Sequence, residues 1–109
     1  MLKPVSDLLQ IFRDKQAIDT QPYWGCGGEP TCFEVGQAIC QGKLTRWTST
    51  GDHSHPVGNR EWHIGRIAWL VVHWKQDYPI ELFDHGKDLD GGHRLYAAHY
   101  LGIKELPTK

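Results

Sequence analysis

Residues 88–95 read Asp88-Leu89-Asp90-Gly91-Gly92-His93-Arg94-Leu95, and they join two segments of opposite character. Before them, Tyr78-Pro79-Ile80-Glu81-Leu82-Phe83 alternates apolar and polar side chains, the period-two pattern of a strand. After them, Leu95-Tyr96-Ala97-Ala98-His99-Tyr100-Leu101-Gly102 has the composition of a helix with a glycine stop. Two adjacent glycines open such a helix poorly on stability grounds, because glycine loses more backbone entropy on ordering than any other residue. Their presence calls for a backbone conformation, or a close approach, that a side chain would prevent.

Working outward, Asp84-His85-Gly86-Lys87 has turn composition and predicts a hairpin whose second arm ends at Leu89. The last helix is predicted from about His93 to Leu101, with Leu95, Ala98 and Leu101 inward and Tyr96 or Tyr100 beside them. Gly102 followed by Ile103 fits a Schellman stop, and Ile103 to Pro107 reads as a terminal strand. Upstream, Ile64, Ile67, Ala68, Val71 and Trp74 recur at i, i+3, i+4 and i+7, with Leu70 and Val72 widening the stripe. This predicts a buried helix from about Glu61 whose polar positions are His63, Arg66, His73 and Lys75.

In the first half, Leu8, Leu9, Ile11 and Phe12 give helical spacing from Ser6 to about Lys15, with Ser6 as N-cap after Pro4. The turn-rich segment 19–30 ends that helix. Thr31-Cys32-Phe33-Glu34 has capping-box form, and Cys32, Val35 and Ile39 share a face of the helix it opens, closed by Gly42. On that face Cys32 and Cys40 read as core thiols. Lys43 to Thr48 reads as a short strand and 49–59 as loop. The alternation of helices and strands in the second half indicates an α+β (α/β-like) class: a short mixed sheet packed with helices, plus extra N-terminal helices.

Composition bounds the function. The 109 residues, 39% hydrophobic and 23% charged, are expected to form one domain. A formal net charge of -1 supplies no field to attract DNA or an anionic membrane, so neither partner is favoured. The N-terminus lacks an apolar signal core, and the longest apolar run, Ile67 to Trp74, is too short to span a bilayer. Cys26, Cys32 and Cys40 show no Cys-x-x-Cys spacing, which suits a reducing, cytoplasmic compartment. Five tryptophans read as core and clamp residues rather than a base-stacking platform. Asp52, His53 and His55 with a cysteine raise a zinc site, but no zinc spacing is matched and the expectation is no metal. No Ser-His-Asp order or nucleophile elbow occurs.

The chemistry gathers at 90–94. The first N–H groups of a helix lack internal partners and carry partial positive charge, so an anion is favoured there. Gly91 and Gly92 would let backbone approach a phosphate, and Arg94 would add a bidentate grip. The alternative is that Asp90 caps the helix, the glycines make a tight turn, and His93 and Arg94 are surface residues; spacing leaves the two even. His63 and Arg66, at i and i+3, share a helix face. Turned toward the box, that face would bring a second phosphate contact from Arg66 and a proton-transfer group from His63. A solvated or core-edge face is the weightier expectation.

The run from Asp90 to Pro107, DGGHRLYAAHYLGIKELP, resembles the ParB/sulfiredoxin superfamily, in which a Gly-x-His-Arg or Gly-x-Arg-Arg box opens a helix followed by a Leu-Gly stop and a short strand. Residues 63–83 are similar to the helix and strand that precede the box, so the resemblance spans about 61–107 and leaves 1–60 unassigned. It implies a small ParB/sulfiredoxin-like domain binding a nucleoside triphosphate, ATP or CTP with Mg²⁺. Gly91, Gly92, His93 and Arg94, with Arg66, would line the phosphates, Asp90 would brace the loop or approach the metal, and His93, Asp90 and His63 are the candidate catalytic residues. Sulfiredoxins carry a cysteine where this chain has Gly92, so sulfinic-acid reduction is not expected. Partition proteins carry two arginines in the box and a helix-turn-helix after it, and neither is found here. Glu34, Glu61 and Glu81 match the glutamate of related serine kinases by type only. The resulting expectation is nucleotide binding, with phosphotransfer or hydrolysis left open. The alternatives are a non-catalytic phage or plasmid accessory protein, with Tyr23, Trp24 and Trp47 at the contact, or a DNA-binding or nuclease protein.

Overall fold

The first helix starts one residue ahead of the Ser6 cap that its sequence predicts. A computed structural model describes residues 2–18, 24, 28–45, 60–75, 79–83, 86 and 88–109. In it, Leu2–Pro4 forms a strand, β1, that the sequence did not announce, and α1 spans Val5–Ile18. The cause is tertiary: the Val5 N–H donates to the Lys104 carbonyl at 2.8 Å, so the far end of the chain satisfies the helix start. Val5, Leu8, Leu9 and Phe12 are buried, as the helical spacing requires.

Helix α2, Cys32–Cys40, opens on the predicted capping box. The Thr31 hydroxyl accepts the Glu34 N–H at 3.2 Å while the Glu34 carboxylate accepts the Thr31 N–H at 3.1 Å. Its buried arc is centred on Val35 and Ala38, and the cysteines at the two ends fall outside it. Cys32 and Cys40 are therefore exposed free thiols, not the core residues expected. Lys43 to Thr45 form no strand. The Lys43 N–H folds back to the Ala38 carbonyl and the Thr45 N–H donates to Gly65, across the next helix. Gly65 is required there because a Cβ would collide with the Thr45 hydroxyl. The expected loop at 49–59, with His53 and His55, lies outside the described residues, as do Cys26, Tyr23 and Trp47.

Helix α3, Arg60–Val72, buries Ile67, Ala68 and Leu70 on the predicted stripe. Two positions depart from it: Val72 is exposed, and His63, expected on a polar or edge face, is only 2% exposed. Next comes a hairpin of β2, Glu81–Phe83, and β3, Asp88–Asp90, in antiparallel register with Glu81 opposite Asp90 and Leu82 opposite Leu89. Helix α4, Gly92–Leu101, packs against both α3 and α1, which bury Leu95, Tyr96, Ala97 and Ala98. In its last turn Tyr100 faces Gly36 of α2 and packs on the core, whereas Leu101, expected inward, is exposed. The Schellman stop forms as predicted: Gly102 is left-handed, and the Ile103 N–H reaches the Ala98 carbonyl at 3.0 Å.

Strand β4, Glu105–Pro107, pairs antiparallel with β1. Just beyond it Thr108 meets Ile80 in a parallel bridge, with the Ile80 N–H on Pro107 and the Lys109 N–H on Ile80, both at 2.9 Å. The one short mixed sheet expected is therefore two small antiparallel sheets linked by a single parallel bridge, because among the described residues only Ile80 and Thr108 pair in parallel; the class is α+β. No helix among the described residues is long and apolar enough to cross a membrane.

Candidate active site around the start of helix α4

Each glycine of the opening stretch has its own structural reason. Gly91 is left-handed, with φ 106° and ψ 32°, a region costly for residues with a Cβ. A Cβ there would also lie 2.9 Å from Ile80 Cδ1. Gly92 has ordinary helical geometry, but a Cβ on it would lie 2.7 Å from the Phe12 ring. The close approach is therefore made by Phe12, which lets α1 pack on the first turn of α4.

Gly91, not Asp90, is the N-cap of α4, and no side chain caps this end. Asp90 is an exposed strand residue opposite Glu81. The Arg94 guanidinium donates Nη1 to the Pro79 carbonyl at 2.8 Å and lies over Gly91, with Cζ 3.2 Å from where a Cβ would sit. Its positive charge is thereby anchored at the helix start. Arg66 is drawn elsewhere, to lie over the Trp69 ring at 5.1 Å.

His93, in the first turn of α4, meets His63 of α3 with Nε2 and Nδ1 2.9 Å apart. The ring planes lie within 16° of each other and the centroids are 5.2 Å apart. The centroids are farther apart than the nitrogens by about a full ring width, so the rings lie end to end in nearly one plane and do not stack. This is the geometry of an N–H···N hydrogen bond, one ring donating and the other accepting. Two in-line nitrogens this close leave no room for a metal ion between them, since zinc–histidine bonds are about 2.0–2.1 Å each. Among the described residues no three His, Cys, Asp or Glu side chains lie together as a metal would need.

Indoles enclose the pair. Trp24 meets His63 and His93 edge-on at 5.4 and 5.8 Å, and Trp62 does so at 5.2 and 5.7 Å. Trp24 also packs on Tyr96 and Phe12. The Tyr96 hydroxyl donates to Glu29 at 2.5 Å, and Glu29 forms a bidentate pair with Arg13 at 2.9 and 3.1 Å. Burial, reinforced by Glu29, pushes the Tyr96 phenol well above its ordinary range, while Arg13 holds Glu29 below the usual carboxylate range. On the other flank Arg60 grips Glu34 and donates to the Gly28 and Glu29 carbonyls at 3.0 and 3.1 Å. That grip lowers the Glu34 carboxyl to about 2. Trp62 also lines a cleft of 630 Å³ between α2 and α3, together with Gln37, Gln41 and Glu61.

Of the residues predicted for the site, the fold brings together Gly91, Gly92, His93, Arg94 and His63. Asp90 ends β3 immediately before them, exposed, and the Arg66 guanidinium lies over Trp69. Sequence reasoning missed Trp24 and Trp62 as walls and the Arg13–Glu29–Tyr96 set as support. Their partners lie far along the chain, and only the adjacency of Trp62 and His63 hinted at them. No family model, curated protein or solved structure matches the chain.

Proposed function

We propose that the chain binds nucleotide phosphates at the start of α4, as the ParB/sulfiredoxin domains it resembles do, and shares their fold. The observation that carries this reading is the opening of α4 at left-handed Gly91, without a side-chain cap, under an anchored Arg94 guanidinium. Backbone N–H groups, helix dipole and a fixed positive charge there favour the same ligand, a phosphate. ATP or CTP with Mg²⁺ is the ligand class, and exposed Asp90 is the adjacent carboxylate for the metal. With one nitrogen against buried His63, His93 is the proton-transfer group for phosphotransfer or hydrolysis.

Calorimetry with ATP, CTP and GTP, each with Mg²⁺, tests the reading. Saturable heat with at least one of them, weakened tenfold or more in His93→Gln at unchanged thermal midpoint, is the expected result. No heat with any nucleotide would sink it. A second reading, a protein-interaction role, is favoured by Phe33, 72% exposed at the first turn of α2. Its test is whether Phe33→Ser abolishes self-association in sedimentation; a wild type that is monomeric and binds no protein disposes of it.

A further inference from the structure

We propose that the His63–His93 pair is a pH switch: it keeps one proton between its rings and releases α3 from α4 when a second is forced on it. The inference is independent of what binds at Gly91. Two facing nitrogens 2.9 Å apart accommodate one hydrogen. A first added proton leaves that bond intact as a charge-assisted N–H⁺···N contact. A second points two N–H groups at each other, at a place where His63 is 2% exposed and enclosed by Trp24 and Trp62. With both rings charged, one of the two charges must sit on buried His63, which water cannot reach while α3 stays on α4, whereas His93 is only half-buried; an unsolvated buried charge is not tolerated.

Among the described residues, the charges on the elements around the pair are engaged elsewhere or exposed to solvent. From α3 come Arg60, committed to Glu34, exposed Glu61, and Arg66 over Trp69. From α4 come Arg94, held on Pro79, and Tyr96, bound to Glu29. Helix α1 brings Arg13, which neutralises Glu29, and β3 brings exposed Asp90. The nearby cations oppose further positive charge, and Glu29 and Glu34 already serve arginines.

In the unfolded chain both histidines titrate near ~6.5, so below that pH it binds two protons where the folded pair binds at most one. Stability is therefore full above pH 6.5 and falls as pH drops. A difference of one proton raises the unfolding equilibrium constant about tenfold per pH unit, or about 30-fold between pH 6 and 4.5. Because Glu34 is lowered to about 2, its ion pair is intact across this window. Opening the seam also wets Trp24 and Trp62, which shifts tryptophan emission to the red.

Urea titrations and emission spectra at pH 7, 6, 5 and 4.5, on wild type and His63→Gln, form the test. The glutamine keeps an amide to bond His93 but cannot titrate. The expected result is the 30-fold change and red shift in wild type, both lost in H63Q. A flat wild-type profile, or the same slope in H63Q, overturns the proposal. Should H63Q not fold, ring-nitrogen NMR of the wild type decides. A facing nitrogen still unprotonated in the folded protein at pH 5 supports the switch; two imidazolium rings in a folded protein refute it.

Discussion

Gly91 and Gly92 are adjacent but constrained differently, and substitution separates the two causes. Gly91→Ala combines a positive φ, worth about 1–2 kcal/mol, with a contact to Ile80, whereas Gly42→Ala at φ 68° meets nothing within 4 Å. Urea midpoints are expected to fall for both, and further for Gly91→Ala. Gly92→Ala is expected to cost about 1–3 kcal/mol by overpacking Phe12, and Phe12→Leu should recover part of that loss in the double variant. Tyr96 gives a prediction of opposite pH sense to the histidines. Its folded-state pKa is raised, so the unfolded chain loses that proton first; stability is full below pH 10 and declines above it. Tyr96→Phe should flatten that alkaline decline in thermal melts. At this scale the sequence announced that Gly91 and Gly92 were special, but not that Phe12, eighty residues earlier in the chain, was the reason for one of them.

Among the elements, α2 shows local signals at their most reliable. Its capping box spans four residues, and every group it needs lies inside that span, so the pattern and the structure agree. Thr31→Ala is expected to lose about 1 kcal/mol in chemical denaturation. Glu34 serves this box and Arg60 together. With its folded pKa lowered to about 2 from 4.5, it contributes stability present above pH 4.5 and lost as pH falls toward 2. Glu34→Gln should therefore reduce the acid sensitivity of unfolding in that range. The Schellman stop after Leu101 was legible for the same reason of locality. Strand β1 was not: three residues carry almost no pattern, and Leu2–Pro4 is extended because β4 offers it a partner. The cysteines of α2 were misjudged because helical spacing identifies a face without showing how wide an arc the neighbours cover.

For the whole molecule, the path from chain ends to site is continuous. Strand β1 holds β4, the segment after β4 bridges Ile80, and Ile80 packs on Gly91 beside the Pro79 carbonyl that anchors Arg94. Deleting residues 1–4 is expected to weaken the start of α4, read as faster amide exchange at 92–95 than at 98–101. If the site turns over nucleotide, removing the His63–His93 pair should lower the rate about 10²–10⁴-fold, measured as phosphate release.

By itself the sequence determined the local devices: the apolar stripes of α1 and α3, the box before α2, the hairpin around Gly86, and the glycines that begin and end α4. Each is encoded within one or two turns of chain, where propensity and hydrogen-bond reach suffice. Tertiary structure alone decided the rest. His63 looks like one more polar residue on an amphipathic helix until α4 delivers His93 to within 2.9 Å of it. Burial and pairing depend on what packs across, and residues thirty positions apart meet only when the whole core forms.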